Sequence, residues 1–123
     1  MEMAGLLDRI RTGEVHPVDA PTEAEFHAAW VQRGASGADP FATAVVGGAM
    51  ADRLAWVFLA GYQATIRRVF PTLPVISGWR AFVNTEDSSG VLPGTSLAGS
   101  PGARRLDGWK TWVAAAAHVG CAG

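Results

Sequence analysis

Two sets of prolines fence the strongest pattern in the sequence. Asp39-Pro40 opens it, with a carboxylate able to cap free backbone N–H groups and a proline whose missing N–H costs nothing in a first helical turn. Pro71 and Pro74 close it, because proline cannot continue a helix. Between them Leu54, Val57, Phe58, Gly61, Tyr62, Thr65, Ile66 and Val69 recur at three- and four-residue steps, the spacing that lines up on one helix face. Helix is therefore expected to about Phe70, with Gly47-Gly48 as a candidate break into two helices. The face carrying Tyr62 is assigned to helix packing rather than to a substrate pocket. Arg67 and Arg68 suit the negative end of the helix dipole.

Upstream, residues 3–12 predict a short helix with Leu6, Leu7 and Ile10 on one side and Gly13 as its stop. Pro17 and Pro21 bracket a linker. Thr22 and Glu25 have capping-box spacing, and the helix they start places Phe26, Ala29, Trp30 and Arg33 on one face and stops at Gly34. Capping and the dipole fully account for Glu23 and Glu25.

Downstream of Pro74, helical periodicity ends and glycine, serine and proline become frequent. Residues 79–83 predict a strand and residues 86–101 a turn-rich connection. Residues 104–113 predict a hairpin turning at Asp107-Gly108, since this dipeptide tolerates the backbone angles of a two-residue turn. Helices first and strands second point to an α+β chain or to two separate layers, and α+β is the class expected. The chain divides into a helical bundle over residues 1–75 and part of an antiparallel β-barrel domain over residues 76–123. Residues 111–123 carry no charge at all, and a strand there would lack charged gatekeepers, so its neighbouring strands are expected to lie outside this chain.

Composition narrows the function classes. The chain has 123 residues, 49% hydrophobic and 17% charged, which suits one small globular unit. A net charge of −1 gives no basic field for nucleic acid. Cys121 is the sole cysteine, so no internal disulfide can form, which favours a reducing compartment. The N-terminus lacks the pattern of a secretory signal, and the uncharged run 54–66 is shorter than a membrane span. A soluble, cytoplasmic protein is expected. His118 and Cys121 fall short of a four-ligand zinc set, and no metal site is expected. His16 and His27 match no nucleophile motif, and Gly94, Gly99 and Gly102 lack phosphate-loop spacing.

Three stretches resemble the acyl-CoA dehydrogenase family. Phe82-Val83-Asn84-Thr85-Glu86-Asp87-Ser88-Ser89-Gly90 is similar to its segment with a Thr-Glu pair, a short turn and Gly-Ser-Asp. Leu106-Asp107-Gly108-Trp109-Lys110-Thr111-Trp112-Val113 is similar to its later Leu-Asx-Gly-x-Lys-x-Trp-Ile-Thr-Asn segment. Phe70-Pro71, Leu73-Pro74 and Gly78 look like its passage from helical to β-domain. Order and spacing agree, and the resemblance runs from about Asp39 to Ala117. It implies a helical domain leading into a β-barrel, with FAD held between the barrel and further C-terminal helices. By position, Phe82, Asn84 and Thr85 match residues lining the flavin, Gly90 the turn glycine near the pyrophosphate, and Trp112 the tryptophan against the isoalloxazine ring. Thr85-Glu86 also reads as a surface turn, and Trp112 as an ordinary barrel aromatic.

The sequence departs from the family where the chemistry is done. Val91 and Leu92 stand where serine and aspartate follow the turn glycine, and Ala114 stands where a hydroxyl would donate toward the flavin's reactive nitrogen. The family's catalytic carboxylate belongs to C-terminal helices that this sequence does not match, so no catalytic residue is nominated. The resemblance implies a fragment or subunit of an FAD-dependent oxidoreductase that dehydrogenates an acyl-CoA-type thioester, inactive alone. Its partners would be the missing β and helical portion or further copies of the chain. The alternative is a non-catalytic helical module that binds a partner chain, motivated by the uncharged end and the apolar helix around Trp56 and Phe58.

Overall fold

The computed structural model describes residues 3–34, 39–74, 78–111, 113 and 119–122. Four helices come first: α1 (Met3–Arg11), α2 (Glu23–Gln32), α3 (Pro40–Met50) and α4 (Leu54–Val69). Four short strands follow: β1 (Trp79–Ala81), β2 (Ser96–Ala98), β3 (Arg105–Asp107) and β4 (Val119–Ala122). The chain is α+β.

Local chemistry sets the helix ends. The Thr22 hydroxyl accepts the Glu25 N–H, and the Glu25 carboxylate accepts the Thr22 N–H at 3.0 Å, completing the capping box. The Asp39 carboxylate accepts from the N–H groups of Phe41 and Ala42, with Pro40 in the first turn of α3. Gly47 and Gly48 do not break the helix. The chain leaves α3 at Ala51, which adopts extended backbone angles and pairs in parallel with Val18, whose N–H donates to the Met50 carbonyl at 2.8 Å. Gly47 instead lets α3 and α4 approach closely: a Cβ there would collide with that of Ala60.

The core is aromatic and crosses from helices to strand. Phe26 stacks on Trp56 at 5.4 Å and on Trp79 at 6.1 Å, and Trp30 lies 5.4 Å from Trp79. Trp56 Nε1–H donates to the Ala20 carbonyl at 2.9 Å and Trp79 Nε1–H to Glu23 at 3.2 Å. Leu6, Val15, Ala20, Ala42, Val46, Met50 and Leu59 complete the cluster. Trp79, the first residue of β1, is thus buried in the helical core.

Several expectations change. Among the described side chains of α1 only Leu6 is buried; Leu7 is exposed and Ile10 partly buried. On α4 the buried positions are Trp56, Leu59, Ala60, Gln63, Ala64 and Ile66. Most of the stripe read as the packing face points outward, with Leu54 82% exposed and Phe58 and Val69 59% exposed; Ile66 is buried, and Gly61 and Tyr62 are partly buried. The helix is apolar on both sides, so periodicity could not say which side was inside.

The strands also differ. The hairpin is made by β2 and β3, antiparallel, with Leu97 opposite Leu106. It turns through residues 99–104, where Gly99 and Gly102 have positive φ, and not at Asp107-Gly108, which ends β3. β1 pairs in parallel with β4, Trp79 opposite Val119, so this sheet is not antiparallel. Among the described residues the strands form two separate two-stranded ladders that do not close into a barrel. No helix of the described residues is long and apolar enough to cross a membrane.

Candidate functional site

β1 is tied to α4 by side chains, and this sets where the first candidate segment starts. Gln63 bonds both backbone groups of Arg80, and the Tyr62 hydroxyl accepts the Phe82 N–H at 2.8 Å and donates to the Phe82 carbonyl at 2.9 Å. The Phe82 ring, half exposed, stacks on Phe70 at 5.8 Å. Asn84 and Thr85 then run along the surface, both exposed.

The two motif segments lie side by side. Thr111 N–H donates to the Thr85 carbonyl at 2.8 Å. Lys110 Nζ pairs with the Glu86 carboxylate at 2.8 Å, and the same carboxylate accepts the Thr95 N–H at 3.0 Å. These contacts hold the Glu86 carboxyl below its ordinary range, chiefly through the Lys110 ammonium. Glu86 is thereby a structural clamp between the segments. The lowered pKa makes it a weaker proton acceptor than an ordinary carboxylate, and its Oε1 is committed to Lys110 and Thr95.

Residues 87–92 form a loop organised by one side chain. The Asp87 carboxylate accepts from the Ser89 hydroxyl at 2.7 Å and from the N–H groups of Ser89, Val91 and Leu92 at 3.0, 3.1 and 2.9 Å. These bonds, led by the Ser89 hydroxyl, bring its pKa down to about 2. Gly90 sits at the apex with φ 75°, and a Cβ there would meet open space. Its glycine is needed for backbone angle, not for a close approach.

These positions permit a test against FAD. The Phe82 ring and the side chains of Asn84 and Thr85 face solvent and suit the ring system, where aromatic surface and amide or hydroxyl groups are wanted. The backbone groups of Phe82 and the Thr85 carbonyl are already bonded within the chain. The pyrophosphate does not fit: the loop's backbone donors serve Asp87, whose negative charge would repel it, and Val91 and Leu92 add no polar side chain. Trp112, the residue matched to the isoalloxazine face, and Ala114 lie outside the described residues.

Among the described residues no three of His, Cys, Asp and Glu converge as a metal centre would require. His27 sits edge-on to Trp79 at 4.7 Å, and burial lowers its pKa despite a bond with the Gly78 backbone. It is a core-side histidine. What sequence reasoning missed is Tyr62 and Gln63 as the anchors of β1; no spacing signal marks a side chain that bonds a distant backbone.

Helical body and short ladders together define a mixed α+β chain whose candidate surface follows β1. Comparison with protein-family models, curated proteins and solved structures finds no match in any of the three.

Proposed function

We propose that the chain is part of an acyl-CoA dehydrogenase-like flavin oxidoreductase and contributes the wall of the site that faces the flavin ring. The observation that carries this reading is the pairing of the two motif segments, Thr111 on Thr85 and Lys110 on Glu86, across 26 and 24 residues of chain. Phe82, Asn84 and Thr85 form the ring-facing surface, with Tyr62 fixing the backbone at Phe82. A bound flavin would supply the acceptor for the hydride that leaves the β-carbon of an acyl thioester when a base takes the α-proton. The base and the pyrophosphate contacts come from polypeptide outside these segments, since Glu86 is clamped and Asp87 fills its own loop. The chain alone is inactive.

Flavin titration tests this. Riboflavin and FAD are expected to quench tryptophan fluorescence with similar, weak affinity, and neither is retained through gel filtration. Asn84→Ala and Thr85→Val are expected to weaken both. Absence of quenching, or quenching untouched by both substitutions, would refute the reading.

A second reading, a non-catalytic helical module that binds another chain, is favoured by the outward apolar face of α4. Trp56, which helped to motivate it, is buried and bonded to Ala20, whereas Phe58 remains on that face.

A further inference from the structure

The outer face of α4 stays open although its residues are those of a packed helix. Leu54, Phe58, Tyr62, Thr65 and Val69 run along it, with Gly61 at the middle. At 1.5 Å per residue the stripe is about 22 Å long. Apolar surface of this extent on one helix marks an interaction site.

Gly61 is unexplained within the chain. Glycine in a helix interior costs about 1 kcal/mol relative to alanine. A Cβ at Gly61 would meet nothing within 4 Å, so no neighbour among the described residues requires its absence. Gly47 is the contrast, since its missing Cβ is what admits Ala60. The residues around Gly61 are held firmly: Phe58 stacks on Tyr62 at 5.6 Å, and the Tyr62 hydroxyl is bonded to the Phe82 backbone.

We propose that a second copy of the chain docks here, α4 against α4 in antiparallel, with the two-fold axis beside Gly61 and Tyr62. The stripe is self-complementary about that point. Leu54 and Val69 lie equally far from it, as do Phe58 and Thr65, so each copy offers the other the same row in reverse. Gly61 lets the two helices approach closely at the axis, and the Phe58–Tyr62 stacks of the two copies meet beside it.

Charge fixes the direction. Arg68, exposed, lies in the last turn of α4 beside Arg67, which is partly buried and donates to the Thr43 hydroxyl at 3.0 Å. At the other end Asp19 and Asp52 surround the single Arg53, whose guanidinium lies 2.7 Å from Asp52 and 3.9 Å from Asp19. An antiparallel pair brings the basic end of one copy to the net acidic end of the other and opposes the helix dipoles. A parallel pair would set the exposed Arg68 of one copy against that of the other.

This inference is independent of the flavin reading, and its tests need no flavin. Sedimentation velocity of the full chain is expected to show a dimer that dissociates on dilution. Gly61→Glu places its side chain in space that is open in the monomer, so helix content by circular dichroism is expected to be unchanged while the dimer is lost. In a Cys121→Ser background, Leu54→Cys chains mixed with Val69→Cys chains are expected to cross-link under mild oxidation, and Leu54→Cys chains alone are not. The proposal is overturned by a monomer at every concentration, including one whose face is taken by an unrelated chain, by a dimer that survives Gly61→Glu, or by self-cross-linking of Leu54→Cys.

Discussion

Gln63 lies beside β1 as an extra strand would: its Nε2 donates to the Arg80 carbonyl at 2.7 Å, and its Oε1 accepts the Arg80 N–H at 2.9 Å. One buried amide therefore satisfies both backbone groups of a residue 17 positions away and joins helix α4 to the strand that carries the candidate site.

Replacing Gln63 by leucine keeps the size but leaves both Arg80 groups without this partner. The expected loss is roughly 2 kcal/mol, read as a lower urea midpoint. Gln63→Glu behaves differently. At neutral pH its carboxylate faces the Arg80 carbonyl and destabilises; acidification supplies the missing hydrogen and restores stability. A Gln63→Glu midpoint that does not improve below the carboxyl pKa would contradict the two-bond geometry.

Asp87 titrates at about 2 in the folded chain, below the ordinary 3.8, because the Ser89 hydroxyl and three N–H groups favour its ionised form. A depressed folded pKa means that the contribution is complete above about pH 4 and is lost as pH falls toward 2. Carbon-13 shifts of the Asp87 carboxyl are expected to give a midpoint near 2, with the Leu92 amide proton shifting in step. A midpoint at the ordinary value would mean the loop is not organised by this side chain.

Adjacent glycines in α3 should respond in opposite directions to alanine. Gly47→Ala collides with Ala60 and forces α3 from α4, at a cost of roughly 1–3 kcal/mol. Gly48→Ala enters open space and gains up to about 1 kcal/mol of helix propensity. Thermal melts of the two variants decide it, and equal effects would contradict the packing at Ala60.

Two core tryptophans differ in one bond. Trp56 Nε1–H donates to Ala20, whereas buried Trp30 Nε1–H has no partner among the described residues. Trp56→Phe loses a bond and leaves the Ala20 carbonyl unpaired; Trp30→Phe removes an unpaired donor. Trp56→Phe is expected to cost about 1 kcal/mol or more beyond Trp30→Phe. Chemical denaturation of both variants measures the difference.

Helix starts were legible because they depend on neighbours in the chain. Thr22 with Glu25, and Asp39 with Pro40, each complete their hydrogen bonds within three residues. The same holds for the order of helices before strands. The hairpin was misplaced because Asp107-Gly108 is a good turn locally, but pairing of Leu97 with Leu106 puts the reversal at residues 99–104. Strand pairing is decided between distant segments, and a turn dipeptide only permits it.

The candidate site divides in the same way. Phe82, Asn84, Thr85 and Gly90 could be nominated from motif order, yet nothing local showed that Thr111 would bond Thr85, or that Asp87 would take the donors of its own loop.

Sequence alone determined where α2 and α3 begin and where α1, α2 and α4 stop, that the chain is α+β, and which residues are apolar enough to pack. Tertiary structure decided which side of α4 is buried, that β1 lies parallel to β4, and that Trp79 belongs to the helical core. The reason is range: capping and propensity act over one turn, whereas the burial of a face depends on what the rest of the chain brings against it.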